Sequence, residues 1–252
     1  LAINSIAPPL SPVTVPLKVE VPLKVTFFGI VILPLPSRLM VSLSSPVPLI
    51  LSTFKILANE PSECLGAYVI SMTTSASDIL SVSFLQKEAK IKNKLRVVPL
   101  FETLDDLINA KEIMKSLFSQ SWYRKLINNN QEVMIGYSDS SKDAGKICAN
   151  WHQYKAQEEI VKLGRRFNIN VTFFHGRGGS AGRGGGPIQA TLRSQPPQSV
   201  NGKIRITDQG EVIQQKYGYE PLAKYNLCSY IGAVTEATLN PPPIPKKNWR
   251  SL

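Results

Sequence analysis

From Thr53 onward, short β-branched and aromatic runs alternate with stretches whose apolar residues recur every three or four positions. The first pattern predicts strands at 68–72, 96–101, 133–137, 170–174 and 203–207. The second predicts helices at 77–89, 103–118 and 143–167. In the last helix, Ile147, Trp151, Tyr154, Glu158 and Val161 mark the expected stripe. Strands alternating with helices are the signature of parallel βα units. The fold class expected is therefore α/β, a partial TIM-like (β/α) barrel with surrounding helices: five strands are more than half of an eight-stranded barrel and too few to close one.

The pattern is different upstream of Thr53. Residues 1–52 hold nine of the 19 prolines and a single acidic residue, Glu20, and repeat VPLKV at positions 15 and 21. Proline at this density blocks helices and removes ladder donors. This stretch is expected to be a Pro-rich irregular N-terminal segment, disordered or spurious, ahead of a folded region at 53–252. It lacks the charged start, uninterrupted apolar run and small-residue cleavage site of a signal peptide. The best membrane candidate, 27–35, is interrupted by Pro34 and falls short of the roughly 18 apolar residues a span needs. With no initiator Met at Leu1 and a charged stretch at the other end, the chain reads as a fragment.

Composition narrows the chemistry only slightly. A hydrophobic content of 43% supports a packed core. Cys64, Cys148 and Cys228 lie far apart with no CxxC spacing, which argues against a zinc ribbon or a disulfide framework and fits a reducing compartment. The net charge of +11 raises nucleic-acid binding as an alternative. However, the lysines interleave with acids, as at Lys87, Glu88 and Lys90, which suits a solvated basic face or a site for small anions.

Candidate chemistry follows the strands. Glu102 ends RVVPLFE, Asp139 follows VMIGYS, His175 and Arg177 follow NVTFF, and Asp208, Gln209 and Glu211 follow KIRIT. Active sites of parallel α/β folds collect at the C-terminal ends of strands, so these groups are expected to share one site. The glycine-rich run from His175 to Gly186 can turn successive N–H groups toward an anion, with Arg177 and Arg183 adding charge. A GxGxxA dinucleotide loop, an RGG-type RNA tract and a plain flexible loop remain as alternatives. Glu102 and Asp139 suit a hard divalent cation, or else cap the helices after them. Lys142 could reach a phosphate or simply lie on the surface. His175 is either a hydrogen-bonded structural residue or a working one; a positive neighbourhood favours its neutral imidazole. His152 is taken as structural.

Together, VMIGYSDSSKDAG (133–145), FHGRGGSAGRGGGP (174–187), YVISMTTSASDIL, VVPLFETLDDL, SQPP, ITDQGEVI and LNPPPIPKKNWR closely resemble the phosphoenolpyruvate carboxylase family, bacterial rather than plant forms in their detail. The resemblance runs from about Thr53 to the end. It implies carboxylation of phosphoenolpyruvate by bicarbonate to oxaloacetate and phosphate, through carboxyphosphate and a metal-stabilised enolate. It also implies Mg2+ or Mn2+ held by Glu102 and Asp139, with Lys142, His175, Arg177 and Arg183 as active-site residues. A cytoplasmic homotetramer is implied for the complete enzyme, with no nucleic-acid or membrane partner. The family's TAHPTE-type motif is absent from these 252 residues, so the chain is expected to be inactive alone, either part of a working enzyme or an inactive remnant of one.

Overall fold

The computed structural model describes residues 29–34, 47–176, 188–208 and 210–246. Six parallel strands lie side by side in chain order: β1 (Gly29–Pro34), β2 (Leu65–Ser71), β3 (Arg96–Phe101), β4 (Asn130–Gly136), β5 (Asn170–Gly176) and β6 (Arg205–Ile206). The helices are α1 (Val47–Leu57), α2 (Ala76–Glu88), α3 (Leu104–Phe118), α4 (Ser121–Leu126), α5 (Ser138–Ala144), α6 (Lys146–Phe167), α7 (Ile188–Arg193), α8 (Gly210–Tyr217) and α9 (Glu220–Leu239). Parallel neighbours in sequence order, each joined by a crossover, are how an α/β barrel begins. The sheet is a part-barrel, as expected from the alternation.

All five predicted strands are present, and β1 adds a sixth. It lies inside the stretch expected to be irregular, where GIVILP pairs with β2 from Ile30↔Ala67 to Pro34↔Ser71. Proline weighed against this segment, but Pro34 falls at the strand's end, where a missing donor costs little. The start of α1 at Val47 is likewise ordered. The rest of residues 1–46 lies outside the described residues.

The strands divide their side chains between two faces. Tyr68, Ile70, Phe101, Val133, Ile135 and Phe173 pack outward against helices, meeting Phe54 of α1, Ile79 and Val82 of α2, Met114 and Leu117 of α3, and Ile160 and Leu163 of α6. Burying each such large side chain contributes roughly 1.5–3 kcal/mol. Ala67, Val69, Val98, Leu100, Met134 and Phe174 form the inner face. Along β3 the inner residues run Arg96, Val98, Leu100; along β4 they run Glu132, Met134, Gly136. At the lower end, buried Glu132 accepts from Arg205 at 2.7 Å and pairs with Arg96 at 3.4 Å, while the Arg205 guanidinium lies 4.5 Å from the centre of the Phe174 ring. These charges border a cavity of about 810 Å³ whose far wall includes Tyr230 and Val234 of α9.

The predicted helix 143–167 is two helices. Gly145, at φ +75°, ends α5 and starts α6, a backbone state that glycine adopts without strain. The buried face of α6 departs from the predicted stripe in its N-terminal half, while Glu158 is buried and Val161 packs against the core. Ala149, Gln153, Ala156, Ile160, Leu163 and Gly164 are buried, while Ile147 and Trp151 are 88% and 42% exposed. Close packing against neighbouring elements selects small side chains, and Gln153 is buried by its bonds to the Gly136 carbonyl and Ser140 Oγ, whereas hydrophobic periodicity gives most weight to the largest apolar residues. Among the described residues, no helix is long and apolar enough to cross a membrane.

Candidate active site

Four strand ends build the upper rim of the inner face. At the end of β2, Met72 takes a positive φ of 49° and turns its N–H onto Glu102 Oε1 at 3.0 Å. Glu102 is thereby held from the neighbouring loop. It does not cap α3: Thr103 does, its hydroxyl accepting from the Asp106 N–H while Asp106 Oδ2 accepts from the Thr103 N–H. The same Asp106 oxygen accepts from the Glu102 N–H at 3.2 Å. This capping box fixes the backbone on which the Glu102 carboxylate stands.

At the end of β4, the Gly136 carbonyl accepts from Ser140 Oγ at 2.8 Å and from Gln153 Nε2 at 3.2 Å. Asp143 Oδ2 accepts the Leu104 N–H at 2.9 Å and so binds α5 to the start of α3. Asp139 stands in the first turn of α5, more than half exposed, with Lys142 Nζ 3.1 Å from its Oδ1. Burial first, then the charges of Asp139 and Asp106, push the Glu102 carboxyl above its ordinary range, against the lowering effect of the Met72 N–H.

Space beside Glu102 depends on two glycines. A Cβ on Gly136 would lie 2.7 Å from Glu102 Cβ and 3.0 Å from its Cα; one on Gly176 would meet Met134 Cε at 2.8 Å. Both positions follow inner-face residues, so the rim stays open where the carboxylates gather. Carboxylate oxygens such as those of Glu102 and Asp139 are the donors a hard divalent cation takes, commonly only one or two from the protein. The described residues contain no cluster of three or more metal-ligating side chains.

His175 closes β5 and is almost fully buried. Its Nδ1 lies 2.7 Å from Tyr137 Oη, and its carbonyl accepts from the Thr207 N–H at 3.1 Å. Arg177, Arg183 and the glycine-rich loop at 177–187 lie outside the described residues, as does Gln209. Asp208 turns away to a pair of its own, accepting from Lys216 Nζ at 2.5 Å and from Tyr217 Oη at 3.2 Å. Sequence reasoning had passed over Tyr137, the Met72 N–H, Asp143 and Gln153. Of these, Tyr137 and Asp143 sit within a motif already noted. The Met72 and Gln153 contacts span 30 and 17 residues, and nothing local announces them.

A parallel α/β part-barrel with acidic groups gathered at the C-terminal ends of its strands defines the class: barrel-type α/β proteins whose site lies at the strand ends. Comparison with known proteins then gives the family. The phosphoenolpyruvate carboxylase family model matches residues 34–252, and the chain belongs to that family. It is 53% identical to phosphoenolpyruvate carboxylase 3 of Arabidopsis thaliana, over 81% of this chain and 21% of that protein. It is 55% identical to the phosphoenolpyruvate carboxylase of Acinetobacter baylyi, over 81% of this chain and 23% of the relative. The C4 phosphoenolpyruvate carboxylase of Flaveria trinervia is 54% identical over 80% of this chain and 21% of its own length. Plant and bacterial relatives match alike, so these identities do not separate the two. The chain spans between a fifth and a quarter of the length of these relatives. The match begins ahead of Thr53, where the resemblance was expected to start.

Proposed function

We propose that these strand ends supply the metal and substrate-binding rim of a phosphoenolpyruvate carboxylase active site. The observation that carries this is the placement of Glu102 and Asp139 just beyond the ends of the neighbouring strands β3 and β4, with Gly136 leaving room beside Glu102. In this reading Glu102 and Asp139 hold Mg2+ or Mn2+. The cation, when bound, supplies Lewis-acid stabilisation of negative charge on the substrate's enol oxygen. Lys142, released from Asp139 when the cation takes that carboxylate, turns to the substrate phosphate. Arg177 and Arg183 neutralise phosphate and bicarbonate from the glycine-rich loop, and His175 borders the same pocket.

Bicarbonate oxygen attacks the phosphorus of phosphoenolpyruvate, the bond from phosphorus to the enol oxygen breaks, and carboxyphosphate and the enolate of pyruvate form. Carboxyphosphate releases carbon dioxide and phosphate, and the enolate carbon attacks the carbon dioxide to give oxaloacetate. Excluding water preserves the enolate from protonation to pyruvate. The complete enzyme is read as a cytoplasmic homotetramer, on the family resemblance.

The test is Mn2+ titration of the 252-residue chain, followed by electron paramagnetic resonance of free Mn2+. Glu102→Gln and Asp139→Asn are each expected to weaken binding at least about tenfold, the scale of loss seen even for outer-sphere changes. Equal affinity in all three proteins would overturn the site. Bicarbonate-dependent oxaloacetate formation by this chain alone is expected to stay at background, because no TAHPTE-type motif is present and losing one catalytic group costs orders of magnitude in rate.

A further inference from the structure

We propose that Tyr137 is a positioning residue, whose phenol O–H donates to His175 Nδ1, selects the Nε2–H form of the imidazole and ties the Asp139 turn to the end of β5. The two residues are 38 apart in sequence and 2.7 Å apart at Tyr137 Oη and His175 Nδ1. The proposal rests on the strand ends being the site.

The direction of the bond follows from chemistry. His175 is 2% exposed, and its Nδ1 is the ring nitrogen that faces the phenol. A neutral imidazole carries one N–H and one acceptor nitrogen. The phenol oxygen has its lone pair conjugated with the ring, which makes it a better donor than acceptor. The stable arrangement is therefore O–H to Nδ1, with the ring proton on Nε2.

Both partners are held so that the bond can form. Ile135 and His175 are register partners in the β4–β5 ladder, and Tyr137 lies two residues beyond Ile135. The Tyr137 carbonyl accepts from Ser141 Oγ at 2.8 Å, which seats the residue at the mouth of α5. On the other side, the His175 carbonyl takes both the N–H and the hydroxyl of Thr207, and its ring lies against Tyr137 and Phe173. Asp139 is two residues past Tyr137, so the bond bridges the turn bearing one proposed metal ligand to the start of the glycine-rich loop. A side-chain bond that orients a working imidazole is a common device at active sites.

The chain contains its own reference. His152 Nδ1 lies 3.0 Å from the Cys148 carbonyl oxygen and 3.5 Å from the Cys148 Sγ; the shorter contact is to an atom that can only accept, which favours the proton on Nδ1. The two histidines are thus expected in opposite forms. Ring-nitrogen NMR of the 15N-labelled chain, without metal or substrate, should show His175 with a protonated Nε2 and an accepting Nδ1, and His152 the reverse. In Tyr137→Phe, His175 should lose the signature of a hydrogen-bonded Nδ1 and His152 should not change. A wild-type His175 protonated on Nδ1 overturns the proposal, as does a His175 spectrum that Tyr137→Phe leaves unchanged. The wild-type measurement stands even if the variant fails to fold. Because no metal is added, this outcome is independent of the Mn2+ titration.

Discussion

At the residue scale, Glu102 carries the clearest electrostatic consequence. Its carboxyl is raised by burial and by two neighbouring acids, so the folded chain binds this proton more tightly than the unfolded chain does. Stability then falls as pH rises from the ordinary glutamate value, about 4.3, through the raised folded value, and stays lowered above it. Glu102→Gln keeps an oxygen for the Met72 N–H and removes the charge. Thermal melts across this range should show the wild type losing stability relative to the variant as pH rises; parallel curves would contradict the assignment. Added Mn2+ should restore the wild type alone, since only the carboxylate attracts it. The candidate carboxylates were legible because each sits one to three residues after a strand. The raised state of Glu102 was not, because burial and the charges of Asp139 and Asp106 act on it only once β3 and β4 have paired. The capping reading of Glu102 failed for a related reason: Thr103 and Asp106, a recognisable T-x-x-D box, already satisfy the start of α3.

At the element scale, the ends of the strands matter more than their middles. Gly136 and Gly176 occupy matching places, partners in the β4–β5 ladder, yet they differ in what a methyl group would strike. Gly136→Ala meets the Cβ at 2.7 Å and the backbone Cα at 3.0 Å of Glu102; Gly176→Ala meets the far end of Met134 at 2.8 Å and the Ile135 carbonyl oxygen at 3.1 Å, so that only part of its closest contact can give. Overpacking against fixed structure typically costs about 1–3 kcal/mol. Gly136→Ala is therefore expected to lower stability by that amount and to weaken Mn2+ binding, with Gly176→Ala milder in both; denaturant melts and the same Mn2+ titration would show it. Strand positions were read correctly because period and β-branched content are local. The N-terminal half of the α6 face was misread because burial there is set by tertiary neighbours, which cover Ala149 and Ala156 and leave Trp151 exposed; Gly164 is small for a similar reason, since a Cβ on it would lie 2.8 Å from the Ile169 carbonyl oxygen and from Val171 Cγ2.

At the scale of the whole molecule, the part-barrel leaves apolar side chains in the open. Ile147 on α6 and Tyr225, Ile231 and Leu239 on α9 are each more than half exposed. Exposed large apolar side chains of this kind favour association where they form a patch. Ile147→Lys and Ile231→Lys are expected to reduce concentration-dependent light scattering without lowering the melting temperature. A drop in melting temperature equal to that of a core substitution would instead mean that these residues are packed in solution. By itself, the sequence determined the α/β class, the five strands from residue 68 onward, the family and the carboxylates, since each depends on periodicity or on residues close together in the chain. Tertiary structure alone decided the sixth strand, the division of α5 from α6, the face α6 buries, the charged lower end around Glu132 and the bond between Tyr137 and His175. Those features join segments tens of residues apart, and their energies exist only once packing has brought the partners within a few ångströms and removed the water between them.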